Sequence, residues 1–392
     1  MVASAPAQQI LVHCSNGAAA ARAPALFVAS DFCRRPGFGR HHPLSIPRVS
    51  AVLELCASLG WVDDRCMRTS RVATAEELAR YHDPDYIEAL RASDAVGCVD
   101  PAVRERHGFG NFENPLFPGV FERAATAVGG SILAAELALE GRVAFHPAGG
   151  THHGRRDRAS GFCYFNDPVF AIGRLLEGGI SRVLYVDLDA HHGDGVQEAF
   201  LGEPRVRVVS IHERGRWPHS GAADDVGRGY ACNLPVPAGF NDSELEHLLE
   251  SVVLPFAAEF APQAVVVTCG TDALAGDPLS GLALSNVALW DAVERVIGDA
   301  GPAVVLGGGG YNPWTLARCW TGLWGRLRGL EIPGELPAEA QQILRSLECD
   351  LVEDEDVDDA WLRTLADVSR AGTVRDEVKS LARQWRVLHG MA

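Results

Sequence analysis

The sequence predicts an α/β fold, a parallel sheet covered by helices on both faces, on two observations. Across residues 142–327, short and nearly continuous apolar runs alternate with segments of helical periodicity. The polar residues that interrupt this pattern fall at the carboxyl ends of the runs, where sheets of this type place their ligands.

Taken in order, residues 10–14 read as a first strand, and the Ala-rich, then Arg/Gly-rich stretch 17–42 as a long loop. Residues 47–59 and 75–92 carry helical periodicity, the second opened by Thr74 and Glu77 as a near capping box. Gly108, Gly110, Pro115 and Pro118 punctuate an irregular stretch at 96–118, and an Ala-rich helix follows over 118–139. Beyond it, strands at 142–145, 181–189, 206–212, 264–269 and 303–307 alternate with helices at 165–176, 195–200, 242–259, 285–297 and 313–327. Composition then shifts: residues 348–359 are dense in Asp and Glu, and two short amphipathic helices follow. This divides the chain into a main domain, 1–330, and an acidic linker with a helical tail, 331–392, which is either an interaction segment or one folded back on the body.

The net charge of −16 argues against nonspecific binding of nucleic acid or anionic membranes, and fits attraction of cationic substrates. Ten cysteines are scattered with no Cys-x-x-Cys pair, which excludes a thiolate zinc site and a compact disulfide framework. No apolar run reaches the roughly 18 residues of a membrane span, and the start lacks the order of a secretory signal, so a cytoplasmic protein is expected.

The chemistry collects in Val186–Gly195, VDLDAHHGDG, directly after the apolar run Val183-Leu184-Tyr185-Val186. Residues two apart share a face of an extended chain, so Asp187, Asp189 and His191 line up where the strand ends. Carboxylates and an imidazole in that order suit a divalent metal, zinc among them. Asp272 ends another strand and would complete three protein ligands, leaving a position open for water and substrate, although Asp277 competes for that part. Asp187 could instead orient a neighbouring imidazole. His152 and His153 follow Gly149-Gly150 at a third strand end, and Tyr311 follows four glycines at a fourth, where a tight turn is the alternative reading.

The segments GGTHHGRRDRASGFCYFND (149–167), YVDLDAHHGDGVQEAF (185–200), GTDALAGDP (270–278) and LGGGGYN (306–312) together resemble the zinc-dependent histone deacetylase family, which includes acetoin-utilisation proteins and acetylpolyamine amidohydrolases. The resemblance implies the arginase/deacetylase fold, a single parallel sheet of about eight strands sandwiched between helices. It implies Asp189, His191 and Asp272 as ligands of one catalytic Zn2+, His152 backed by Asp187, His153 backed by Asp194, and Tyr311 polarising the substrate carbonyl. Phe162 and Trp217 match the aromatic walls of a substrate channel lined also by Gly161, with Leu279 and Glu113 at its rim. It further implies a structural K+ held by oxygens of Asp187, Asp189, His191, Ser210 and Ile211. The segment His42–Arg48 and the run Trp217-Pro218-His219-Ser220-Gly221 depart from animal members and point to a prokaryotic, acetoin-utilisation-like branch.

The expected reaction is amide hydrolysis, with His153 as general base and then acid, His152 assisting electrostatically, and zinc with Tyr311 stabilising the oxyanion. Relatives acting on polyamines tend to carry a glutamate where this chain has Leu279, so acylated lysine in proteins or peptides is the expected partner. Glu113 would contact the substrate backbone, face a distal cation, or simply be solvated. An acetylated small amine is the alternative substrate, and binuclear-manganese ureohydrolase chemistry and a non-catalytic acyl-lysine-binding scaffold are the remaining alternatives. Homo-oligomerisation is left open by the sequence.

Overall fold

The computed structural model describes residues 24–35, 37–298 and 301–388. Eight short strands, β1 (Leu26–Ala29), β2 (Met67–Thr69), β3 (Val143–His146), β4 (Val183–Asp187), β5 (Val206–Glu213), β6 (Ala231–Val236), β7 (Ala264–Thr268) and β8 (Ala303–Leu306), pair into one sheet. Its order is β2-β1-β3-β8-β7-β4-β5-β6, and every neighbouring pair is parallel. β1, β3, β4, β7 and β8 are buried at every residue, because helices cover both faces and neither side of the pleat can be polar.

Alternate residues of each strand feed two separate cores. Phe27, Phe145, Leu184, Val186, Val267 and Val305 pack against the tryptophan-rich helices Asn286–Ile297 and Pro313–Leu327. Val28, Ala144, Tyr185, Val266 and Val304 face helices Val120–Leu139 and Asp167–Glu177 on the other side. The indole N–H of buried Trp320 donates to the Cys269 carbonyl at 3.0 Å, tying the helix Pro313–Leu327 to the end of β7. Burying such an indole without an acceptor would cost a few kcal/mol, so the bond also fixes the ring's orientation.

Several elements differ from the sequence reading. The strand expected at 10–14 lies outside the described residues. β1 falls inside the stretch read as a loop; it is only four residues long and carries no alternation to betray it. β2 and β6 were not expected either; each lies at a sheet edge and is paired on one side only, with the strand that precedes it in the chain. The helix expected over 75–92 is two, Ala75–Leu78 and Pro84–Val96; Pro84 begins the second at its first position, where its missing N–H costs nothing. Residues read as irregular include the helix Pro101–His107. In the tail one helix, Ala338–Arg345, precedes the acidic stretch and one, Asp376–Leu388, follows it, instead of two following. Leu336, Leu344, Trp361, Leu365, Val378, Ala382 and Trp385 belong to the same core cluster as the body. Buried Arg318 pairs with Asp367 at 2.8 Å to hold the tail down.

Candidate active site

β4 ends at Asp187, and the chain then turns sharply through the Asp189–Gly193 segment beneath the ends of β7 and β8. Asp189, His191 and Asp272, all buried, bring ligand atoms within 4.8 Å of one another. His191 Nδ1 lies 2.9 Å from Asp272 Oδ2 and 3.2 Å from Asp189 Oδ1. Each carboxylate is fixed by backbone N–H groups, Asp272 by Ala190 at 3.0 Å and Asp189 by His191 at 2.9 Å and by Gly309. Two oriented carboxylates and one imidazole converging in a dry pocket are a donor set suited to zinc, with a side open toward the mouth. Asp277, the competing carboxylate, is committed elsewhere: it accepts from Tyr311 N at 2.7 Å and Leu279 N at 2.9 Å.

The turn after β3 carries the histidine pair. Asp167, fully buried, accepts from Gly150 N at 3.1 Å, Thr151 N at 2.7 Å and the Ser131 and Thr151 hydroxyls. Asn166 Nδ2 donates to the carbonyls of His152 and Gly154 at 3.1 and 2.9 Å. So held, His152 donates through Nδ1 to Asp187 Oδ2 at 2.7 Å, and His153 through Nδ1 to Asp194 Oδ1 at 2.8 Å. The Nε2 of both rings is thereby left for the pocket. The Tyr185 hydroxyl shares Asp187 Oδ2 at 2.7 Å, whereas Arg155 takes the second oxygen of Asp194.

The two imidazoles consequently differ. Burial would depress His152, but Asp187 and Asp189 outweigh it and lift the group to about 9. Burial and the adjacent His152 push His153 down to about 3, against the pull of Asp194. Burial, with Asp272 and Asp189 nearby, drives the Tyr311 phenol well above its ordinary value and keeps it a donor.

The mouth is lined by Glu113, His153, Gly161, Phe162, Trp217, Leu279 and Tyr311, all of them expected there from sequence except as to what holds them. The Trp217 ring stands 4.6 Å from that of His153, and Phe162 lies 5.9 Å from Tyr311. A methyl group on Gly161 would sit 2.3 Å from Trp217 and 2.7 Å from His153, so only glycine lets the two walls approach. Glu113 Oε1 accepts from Gly161 N at 2.7 Å, bracing that wall. Ser210 and Ile211, expected in a potassium site, are buried on β5; Ser210 pairs in register with Asp187, and its hydroxyl lies 3.0 Å from His212 Nδ1.

Other residues at the site carried no sequence signal that singled them out. Arg48, half-buried beside the glycine turn with its guanidinium 5.1 Å from the Trp320 ring, donates to the Gly308 carbonyl. Glu213 joins two rim loops: it accepts from Arg216 Nη2 at 3.0 Å, from Arg216 Nε, and from Gly281 N at 2.7 Å, while Arg216 Nη1 donates to the Leu279 carbonyl at 2.8 Å. An acidic residue ending an apolar strand is the only hint that either loop offered.

The family profile described as "Histone deacetylase domain" matches residues 42–327. The chain is 34% identical over 330 residues to acetoin utilization protein AcuC of Bacillus subtilis (strain 168), covering 80% of this chain and 84% of that protein. It is 35% identical over 298 residues to histone deacetylase 8 of Xenopus tropicalis, covering 74% of this chain and 80% of the relative. Among solved structures, an HDAC homolog from Aquifex aeolicus superposes with a TM-score of 0.87 at 39% identity, over 93% of this chain and 100% of the other. An HDAC homolog complexed with SAHA matches with the same TM-score at 38% identity, over 93% of this chain and 100% of the other.

Proposed function

The chain belongs to the histone deacetylase family of zinc-dependent deacetylases, and from that premise we propose that it hydrolyses the side-chain amide of acylated lysine in proteins or peptides. The observation that carries this reading is the meeting of a three-ligand cluster and two carboxylate-backed histidines at one aromatic-walled mouth. The aromatic faces of Phe162 and Trp217 at the mouth suit an uncharged methylene stem, and the Leu279 side chain at the rim offers nothing to a second ammonium.

Asp189, His191 and Asp272 would hold the zinc, and the donor set and its backbone-fixed carboxylates fit that ion. When bound, the metal supplies Lewis-acid polarisation of the acyl carbonyl and acidification of water. His153 accepts the proton at Nε2 and delivers it to the departing amine, its Nδ1–H kept in place by Asp194. His152, tied to Asp187, lends positive charge beside the reacting atoms. Tyr311 donates its phenol proton in a hydrogen bond to the acyl oxygen as negative charge gathers there. Burial and the neighbouring His152 keep His153 neutral against the pull of Asp194, as a base must be. A structural potassium would use oxygens of Asp187, Asp189, His191, Ser210 and Ile211 at the buried β4–β5 register.

The test compares acetyl-lysine peptides with N-acetylspermidine and acetylputrescine on protein of measured zinc content. Peptides cleaved by at least tenfold in kcat/KM over the amines are expected from the apolar Leu279 rim. The opposite ranking would assign the site to acetylated small amines.

A further inference from the structure

The rim loop that follows β5 separates two depressions. One is the site mouth; the other lies between this loop and the C-terminal helix Asp376–Leu388. Arg214, Gly215 and His219 line both, so the two adjoin across this loop, the second on the side away from the aromatic mouth. Beyond the shared residues the groove is largely apolar, with Ala222, Pro235 and Pro237 on one side and Val378 and Leu381 on the other.

Its charged side chains are bonded within the protein. Arg214 pairs with Glu377 at 3.0 Å across the groove, and Asp225 accepts from Gln197 Nε2 at 2.8 Å and Gly227 N at 3.1 Å. Both walls are anchored to the body. The helix is anchored by Trp385, 5.4 Å from Phe256, and at its start by Arg375, bonded through Nε and Nη2 to buried Glu244 at 2.6 Å each. The inner wall is held by Glu213 and Arg216. The helical wall lies outside the residues, 42–327, that the family profile matches.

We propose that this groove binds the polypeptide flanking the acylated lysine, as an extended segment with uncharged, apolar side chains. The proposal rests on the acyl-lysine reading above. Acetylputrescine carries nothing beyond the length of the lysine stem, whereas a polypeptide must continue past the lysine in both directions and run over the rim. Apolar flanks gain from covering Ala222, Pro235 and Leu381, while an acidic flank would lose water beside Arg214, which already has its carboxylate in Glu377.

Two substrates read this out: Nα-acetyl-Nε-acetyl-lysine methylamide, which has no flanks, and a peptide placing acetyl-lysine between several uncharged apolar residues. Ala222→Glu and Ser380→Glu each put a charge into the groove from an exposed position on opposite walls. The wild-type protein is expected to favour the flanked peptide through KM, and in each variant the flanked-to-minimal ratio of kcat/KM is expected to fall about tenfold. A ratio that stays the same in both variants, or a wild type indifferent to flanks, overturns the groove. Failure of the underlying reading looks different: wild-type protein would cleave acetylpolyamines and leave both lysine substrates intact.

Discussion

Gly309→Ala tests whether the three-ligand cluster is a metal site whose ligands depend on a close-packed glycine turn. A Cβ at this position would stand 2.0 Å from Asp272 Oδ2 and 2.9 Å from Asp189 Oδ2. Real Cβ atoms essentially never come within 3.0 Å of a neighbour, so Asp272 Oδ2 must retreat by at least the 1.0 Å difference, or the turn must open. Metal–ligand distances tolerate only about 0.2 Å, so a shift of that size removes Asp272 as a ligand. Disturbing even the outer support of a ligand costs about 10–100-fold in affinity, and displacing the ligand itself should cost at least as much. The assay is zinc content by elemental analysis after dialysis against a competing chelator, with circular dichroism to show the fold is retained and turnover measured against added zinc. Wild-type protein should retain about one equivalent and the variant far less, with activity restored only at higher zinc. Gly173→Ala, in a helix with nothing within 4 Å, controls for the added methyl group. A Gly309→Ala protein that keeps its zinc under the same chelator and turns over normally would refute the assignment of these carboxylates.

Three further outcomes are expected. Tyr311→Phe should retain zinc while kcat falls by on the order of 10²–10³, as loss of an oxyanion donor does; normal turnover would remove the phenol from the chemistry. Glu213→Gln removes the charge that holds Arg216 and Gly281, so KM for peptides should rise by several-fold, on a scale of roughly 1–2 kcal/mol, with kcat changed less; an unaltered KM would show the rim keeps its shape without this pair. His82, buried, accepts from Asn166 N through Nε2 at 3.1 Å, and burial depresses it from 6.5 to about 4. Because the unfolded chain takes up this proton at higher pH than the native one, its contribution is intact above 6.5 and shrinks as pH falls toward 4, by up to roughly 3 kcal/mol. Urea midpoints from pH 7 to pH 4 should therefore drop less in His82→Gln than in wild type, and parallel curves would contradict the neutral-histidine reading.

Much was determined by the sequence alone. The Val/Leu runs of β3, β4, β7 and β8 with intervening helices specify a parallel sheet, because strands buried on both faces cannot alternate with polar residues. Polar residues at the ends of those four strands mark where a pocket must open, since nothing but a ligand or another polar group can satisfy them there. The outer strands escaped: β1, β2 and β6 become strands through pairing with a neighbour outside their own segment, an interaction that local pattern does not contain.

Within the site, residue types were legible but their partners were not. Spacing alone left Asp272 and Asp277 as rival ligands; only the β8-β7-β4 adjacency turns the first toward His191 and leaves the second to hold the Tyr311 backbone. Arg48 and Glu213 act through loops that meet from distant parts of the chain, as does the C-terminal helix that walls the groove beside the mouth. Periodicity reports which face of an element is apolar because burial acts on one segment at a time. Which side chain meets which is decided by sheet order and loop packing, and those are set by the whole chain closing on its core.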